Sequence, residues 1–351
     1  MNTIDLFSGA GGLSLGLGAA GAAIVACVEI KRDSMDTYCS HTPNAIHFNE
    51  DIRGVNFKRF RNKVQLVAGG PPCQPFSLGG LRKSNLDSRD MIPEFVRCLR
   101  ECQPDFFLLE NVPGLLSAKT RSYFQSTLNI LTSLGYCLNW SILNSADYGV
   151  PQKRKRLFIL GSKTEYLRFP VPTHGSGTKK THVTSSRALG AAPIGEAPNC
   201  PVKYARFPDL RPSPYAGQIY NGGGRPINPA APCHTILASS GGYKTHWIDA
   251  LNIAPEYHRH LLNGGKPWEG NVPGARRLSV KECAVIQTFP PNLQLSGTQS
   301  SQYSQVGDAV PPALAEVLGK AILAQINGNM DKASFLYVNP ECRQFQGELT
   351  F

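Results

Sequence analysis

Apolar positions along this chain fall into short unbroken runs closed by glycine, proline or a carboxylate, a pattern of strands buried on both faces. Asn2-Thr3-Ile4-Asp5-Leu6-Phe7 reads as a first strand. Ser8-Gly9-Ala10-Gly11-Gly12 reads as a tight turn opening a helix through Leu13, Leu15 and Leu17. Further strands are expected at Ala23 to Ile30, Ala45 to Phe48, Val64 to Ala68, Asp105 to Leu109, Cys137 to Leu143 and Leu157 to Leu160. Helices are expected where Ile92, Phe95, Val96 and Leu99 share one side and over about 115 to 135, closed by Gly135. Ser279 followed by Glu282 fits a capping box for a helix to about Gln287, and Gln305 to Pro312 opens a last helix to about Ile326.

From about Phe169 to about Pro273 the periodic pattern fades and Pro, Gly, Ser and Thr rise, marking a separate, irregular segment rather than more of the strand-helix repeat. Within it, residues 221–225 and 234–242 read as loops around a short strand. The last twenty or so residues carry no usable motif.

Composition changes the picture in one respect. The chain has 351 residues, 41% of them hydrophobic, and a formal charge of +11, a balance that suits a polyanionic partner, nucleic acid first. No apolar stretch is read as long enough to cross a bilayer, and no basic-then-apolar leader precedes Asp5, so an intracellular, cytoplasmic protein is expected. The ten cysteines form no C-x-x-C pair, the nearest being Cys98 and Cys102, so reduced thiols and no metal site are expected.

The candidate chemistry sits where strands end. Val67 to Ser77 is an apolar run that breaks at Gly69-Gly70-Pro71-Pro72 and then presents Cys73 on a loop at a strand's carboxyl end, where open α/β sheets place ligands. Cys73 is the candidate nucleophile; the alternative is an ordinary buried cysteine. Glu110-Asn111-Val112 closes another strand, so two such ends can converge on one substrate. The glycine turn favours close approach of a ligand, and Glu29, about twenty residues on, can accept from ribose hydroxyls. Asp51 could accept an adenine amino proton while Ile52 packs on the ring; a helix cap or solvated turn is the alternative for both carboxylates. Together these predict a nucleoside-containing cofactor, and the missing third glycine of G-x-G-x-x-G disfavours a nicotinamide enzyme. Gln152-Lys153-Arg154-Lys155-Arg156 is either a solvated charge run or a polyanion contact.

In order, DLFSGAGG at 5–12, GGPPCQPFS at 69–77, ENV at 110–112, QKRKR at 152–156, RRLSVKECA at 276–284 and QVGDAVPP at 305–312 resemble the blocks of the DNA cytosine C5-methyltransferase family in its compact bacterial form. The resemblance covers nearly the whole chain apart from the irregular segment and the tail. It implies an α/β fold: a doubly wound, mostly parallel, Rossmann-like sheet that binds S-adenosylmethionine, with a smaller irregular target recognition domain. The expected division is 1–170 for the large catalytic domain, 171–304 for the recognition domain and hinge, and 305–351 for the return to the large domain plus tail.

By the same resemblance Asp5, Phe7, Gly9, Gly11, Gly12 and Leu13 hold the cofactor, with Glu29 and Ile30 at the ribose and Asp51 and Ile52 at the adenine. Pro72, Ile92, Asp308 and Val310 complete the pocket. The family commonly has Asn where Asp308 stands. Cys73 adds to carbon 6 of a flipped-out cytosine, converting carbon 5 into an enamine-like nucleophile for the methyl group. Glu110 neutralises charge on the ring, and Arg156 with Arg154 holds the carbonyl oxygen and a nearby phosphate. Ser77 and Gly79 belong to a closing lid, and Arg89 joins them in contacting DNA. Arg225 would reach a guanine edge and Thr235 would touch backbone or brace a loop, ordinary loop packing being the alternative for each. Double-stranded DNA is the expected partner, no membrane is, a restriction endonuclease is the expected functional counterpart, and a monomer the expected state. An RNA cytosine methyltransferase is the nearest alternative; that subgroup's Cys-Phe-Thr signature is missing from this sequence.

Overall fold

The computed structural model describes residues 1–72, 90–190, 193–329, 331–336 and 341. Cys73, Ser77, Gly79 and Arg89 lie outside the described residues. The chain divides into two compact units: Met1–Asn144, Lys155–Thr173 and Val310–Phe351 form the first, and Ser145–Arg154 with His174–Ala309 the second. The divisions thus fall at 173/174 and 309/310, beside the expected 170/171 and 304/305, and the stretch 145–154 is counted with the second unit.

The first unit is built on strands β1 (Asn2–Leu6), β2 (Ala23–Val28), β3 (Ile46–Phe48), β4 (Leu66–Gly69), β5 (Phe106–Asn111), β6 (Cys137–Asn144) and β7 (Lys155–Ser162). Among the described residues they form one seven-stranded sheet in the order β3-β2-β1-β4-β5-β7-β6. The pairs from β3 to β5 are parallel, while β7 runs against both β5 and β6. Continuous apolar runs do become central strands: Ile4, Leu6, Leu66, Val67, Phe107 and Leu109 are fully buried.

Around the sheet lie α1 (Gly12–Ala19), α2 (Arg32–His41), α3 (Ile92–Cys102), α4 (Arg121–Ser133) and α9 (Pro312–Ile326). The expected helix over about 115 to 135 is in fact a short 3₁₀ turn, Pro113–Leu116, followed by α4. Helix α2 was not legible: its sequence, RDSMDTYCSH, shows only Met35 and Tyr38 as large buried positions. Helix α1 crosses α9 closely, because a side chain on Gly16 would come within 2.3 Å of the Pro312 carbonyl and 2.4 Å of the Ala315 Cβ.

The second unit holds α5 (Ser185–Leu189), α6 (Ile253–Leu262), α7 (Val280–Ile286), α8 (Gln299–Asp308) and the small pairs β8 (Tyr204–Asp209) with β9 (Gln218–Tyr220) and β10 (Trp247–Asp249) with β11 (Ala275–Arg277). The capping box forms: the Glu282 amide donates to the Ser279 hydroxyl at 3.1 Å and the Ser279 amide to the Glu282 carboxylate at 2.8 Å. One core gathers Ile227, Ile236, Leu278, Ile286 and Val306; a second is aromatic, with Tyr220, Trp247 and Tyr257.

Contrary to the expectation from the sequence, residues 299–326 are long and apolar enough to cross a membrane by length and composition. Pro311 and Pro312 divide that run into α8 and α9, and 56% of its most apolar window is buried inside the protein, as in a core helix.

Gly16→Val should destabilise the protein by about 2–3 kcal/mol, since the added branch meets main chain that cannot move aside. Urea unfolding checks this; an unchanged midpoint would show that the two helices are not held at that spacing.

Candidate functional site

Strand order reverses between β1 and β4, and Leu6 pairs with Gly69 at their carboxyl ends, so the glycine turn and the proline stem leave the sheet side by side at the point where open α/β sheets place ligands. The turn is wound by left-handed residues: Phe7 at φ 56°, Gly9 at 54° and Gly11 at 84°. For Phe7 that conformation costs about 1–2 kcal/mol, a strain the surrounding contacts must hold. A side chain built on Gly9 would meet nothing within 4 Å, leaving its outer face open to a ligand.

Gly11 is glycine for another reason: a Cβ there would lie 2.4 Å from the His41 ring and 2.9 Å from Tyr38. These α2 side chains brace the turn from beneath. His41 Nε2 donates to the Ala10 carbonyl at 2.9 Å, and Tyr38 and Ser14 share a hydrogen bond of 2.5 Å. Neither residue belongs to a motif, and the missed helix concealed both.

Asp5 is buried under the same turn and accepts from Ser14 Oγ at 2.6 Å. Burial pushes its carboxyl up to about 7; the Ser14 hydrogen bond opposes the rise and the Glu29 charge adds to it. Glu29, just past β2, accepts from the Gly9 amide at 2.9 Å and the Lys31 amide at 2.7 Å, while Ile30 beside it is 63% exposed. Leu13 and Ile52 are buried, Ile52 and Ile92 within the main core of the first unit. Asp51 caps the 3₁₀ turn Ile52–Gly54, accepting from the Arg53 amide. The Arg53 side chain beside it holds the Asp51 carboxyl down at about 2.

One strand further on, Glu110 lies next to the end of β5 and Arg156 next to the start of β7. Because these strands run antiparallel, with Glu110 opposite Phe158 and Asn111 opposite Leu157, a strand start lies beside a strand end. Arg156 Nε sits 3.0 Å from Glu110 Oε1, both side chains less than one-fifth exposed. The stem of the cysteine loop reaches the same place: a Cβ on Gly70 would be 2.8 Å from Glu110 Oε2, and Asn111 Nδ2 donates to the Pro71 carbonyl at 3.2 Å. Pro72, exposed, accepts from the Met91 amide at 3.2 Å. Stem, carboxylate and guanidinium are therefore gathered within the first unit, with Cys73 the next residue along the chain.

The second unit holds the other predicted residues. Arg154, expected beside Arg156, is buried there and donates to the carbonyls of Ile236 at 3.0 Å and Asp308 at 3.3 Å. That geometry gives it a main-chain bracing position rather than one open to substrate. The Asp308 carboxylate accepts from Ser304 at 3.3 Å, and Val310 is counted with the first unit and buried. Thr235 donates to the Lys153 carbonyl at 2.7 Å, tying its loop to the basic stretch. The Arg225 amide donates to His246 Nδ1 at 3.1 Å, and His246 Nε2 donates to the Thr235 carbonyl at 3.2 Å, so one imidazole links the two predicted loops. Burial pushes His246 down to about 4, with His234 adding to the fall. No sequence signal marked it. Among the described residues no group of three or more His, Cys, Asp or Glu is placed to hold a metal ion.

Comparison with known proteins gives a consistent picture. Residues 1–196 and 228–324 match the family described as C-5 cytosine-specific DNA methylase. The chain is 34% identical over 333 residues to the Type II methyltransferase M.AplI of Arthrospira platensis, covering 91% of this chain and 84% of that one. It is 31% identical to the Type II methyltransferase M.NgoMIV of Neisseria gonorrhoeae, covering 92% and 96%. Among solved structures, S. pombe Dnmt2 methyltransferase shares the fold with a TM-score of 0.66 at 17% identity, over 93% of this chain and 99% of that one.

The Asp5 carboxyl titrates with a sign that can be tested. An acid whose pKa rises on folding contributes most below its unfolded value near 4, and that contribution is lost as pH climbs to about 7. Asp5→Asn keeps an acceptor for Ser14 and removes the titration. Between about pH 4 and pH 8 the wild-type protein should lose on the order of 4 kcal/mol relative to the variant. Urea unfolding at both pH values reads it, and a pH-independent difference would contradict the buried, uncompensated carboxyl.

Proposed function

The chain belongs to the C-5 cytosine-specific DNA methylase family, and from that premise we propose that it moves a methyl group from S-adenosylmethionine to carbon 5 of a cytosine flipped out of duplex DNA. The observation that carries this reading is the meeting of Glu110, Arg156 and the Gly70-Pro71-Pro72 stem at one edge of the sheet. The first unit also fits the donor's nucleoside: the face of Gly9 is open, Glu29 stands beside it, and Asp51 is an ionised acceptor near the surface.

When bound, S-adenosylmethionine supplies a methyl group on a cationic sulfur. Everything else falls to the chain. Cys73, as a thiolate, adds to carbon 6 of the pyrimidine, and the ring's electron pair moves toward carbon 5. Glu110 holds a proton against ring nitrogen 3, so that charge pushed into the ring is neutralised as it develops. Arg156 turns its planar fork to the carbonyl oxygen of the same ring while remaining against Glu110. After methylation, loss of the carbon-5 proton restores the double bond and expels the Cys73 sulfur.

Arg154, Thr235 and His246 act at one remove, holding the basic stretch and the recognition loops in shape. Arg225 and the loops of the second unit would read the target sequence in the DNA groove. The similar Type II methyltransferases carry names from restriction-modification systems, and a paired endonuclease in a bacterial cytoplasm is the setting we extend to this chain.

Purified protein given labelled methyl donor should label duplex DNA and leave transfer RNA unlabelled. Glu110→Gln should slow methyl transfer about 10²–10³-fold with donor affinity unchanged. Labelling of transfer RNA alone, or a Glu110→Gln enzyme of normal rate, would overturn the assignment.

A further inference from the structure

The hairpin of β8 and β9 carries the most exposed large apolar side chain among the described residues, Phe207 at 84%. Its exposure follows from a bulge. Tyr204 pairs with Tyr220 and Asp209 with Gln218, so β8 advances five residues while β9 advances two. The extra chain cannot stay in the ladder, and Arg206-Phe207 is turned out to solvent.

Both ends of the bulge are pinned. At the base the Asn221 amide donates to the Lys203 carbonyl at 2.9 Å and the Lys203 amide to Asn221 Oδ1 at 2.9 Å. The Tyr204 ring packs there, 4.7 Å from Tyr257 and 5.5 Å from Trp268 between ring centroids. At the far end His258 Nε2 donates to the Arg211 carbonyl at 2.6 Å and His234 Nε2 to the Tyr215 carbonyl at 2.8 Å. Asn221 opens the loop of Arg225 and His234 precedes Thr235, so the hairpin is tied to both proposed recognition loops.

The charge around the ring is basic. The Arg206 guanidinium lies over it, 5.4 Å from the centroid, Lys203 is exposed, and the Asp209 carboxylate is neutralised by Arg211 at 3.2 Å. A lone phenyl ring on a surface calls for no partner. Here the ring is followed by Pro208, stands on a pinned bulge and has a cation against its face, a combination that suits a partner with an anionic outside and flat apolar groups within: duplex DNA.

We propose that Phe207 is a wedge: on binding, its ring inserts at a base step of the duplex outside the target pair, partly unstacking and bending it, while Arg206 turns to the adjoining phosphate. This rests on the DNA-substrate reading above. The ring's apolar surface, left in water in the free protein, is covered only in the complex. A wedge favours steps that unstack cheaply, pyrimidine–purine steps above all, so Phe207 adds selectivity without touching a base edge.

A duplex carrying the sequence that the wild-type chain methylates, labelled at both ends for energy transfer, tests this. Wild type should bend it by about 20–90°. Phe207→Ala should remove most of the bend and weaken binding about five- to fiftyfold, with the thermal midpoint and the affinity for S-adenosylhomocysteine unchanged. Phe207→Trp keeps a flat ring and should keep the bend. Arg206→Gln should weaken binding and lower its salt dependence by about one phosphate contact while the bend persists. An unbent wild-type complex, a Phe207→Ala complex bent and bound like wild type, or weaker binding accompanied by a lowered midpoint in Phe207→Ala, overturns the wedge and leaves the DNA-substrate reading intact. Wild-type protein that neither binds nor methylates duplex DNA overturns that reading, and the wedge with it.

Discussion

The meeting of Glu110 with Arg156 depends on one strand running the wrong way. In a wholly parallel sheet the start of a strand lies a full strand length from the end of its neighbour, and a cation at the start of β7 would face the opposite edge from Glu110. Reversal of β7 against β5 brings Arg156 to within 3.0 Å of that carboxylate. The pair is largely removed from water, and burying two charges returns little net stability even when they meet well. It lies beside the Gly70-Pro71-Pro72 stem, and under the proposed function a chemical role rather than stability accounts for it: a guanidinium and a carboxyl to grip one pyrimidine edge.

The glycine turn after β1 is governed by support from below. The left-handed turn over residues 7 to 11 is strained at Phe7, and His41, Tyr38 and Ser14 hold it through a carbonyl, a glycine face and a buried hydroxyl. Asp5 lies buried within that support, accepting from the Ser14 hydroxyl. Such an arrangement keeps the backbone amides in one pose before any ligand arrives, which lowers the cost of ordering them on binding. The turn after β3 is held alike, with Arg97 donating to the carbonyls of Ile52 and Val55.

How much of this could be read from the sequence follows from what each element buries. Central strands such as Leu66–Gly69 and Phe106–Asn111 show themselves because both faces are covered and their leading positions, Leu66 to Ala68 and Phe106 to Leu109, are all apolar. Helices α2 and α8 did not, since RDSMDTYCSH and QSSQYSQVGD bury few large side chains and their polar positions blur the period. Helix α6 lay within a stretch whose prolines and glycines suggested only loops. Glu110, Arg156, Glu29 and Asp51 sat in motifs, and their places at strand ends and turns were legible. Residues acting through main chain, among them His41, His246 and Arg97, carry no spacing signal, because the partners they brace are carbonyls and amides that every sequence possesses. Arg154 shows the reverse case: a motif position whose side chain is buried on the carbonyls of Ile236 and Asp308.

The central claim is a transient bond between the Cys73 sulfur and carbon 6 of cytosine. A duplex carrying 5-fluorocytosine at the target position tests it most directly, since fluorine cannot depart as a proton does and the sulfur cannot then be expelled. With methyl donor present, the account predicts a denaturation-resistant protein-DNA adduct whose mass includes one methyl group, formed by the wild-type chain and lost in Cys73→Ala. Release of free methylated DNA without an adduct, or an adduct of equal yield in Cys73→Ala, would contradict it.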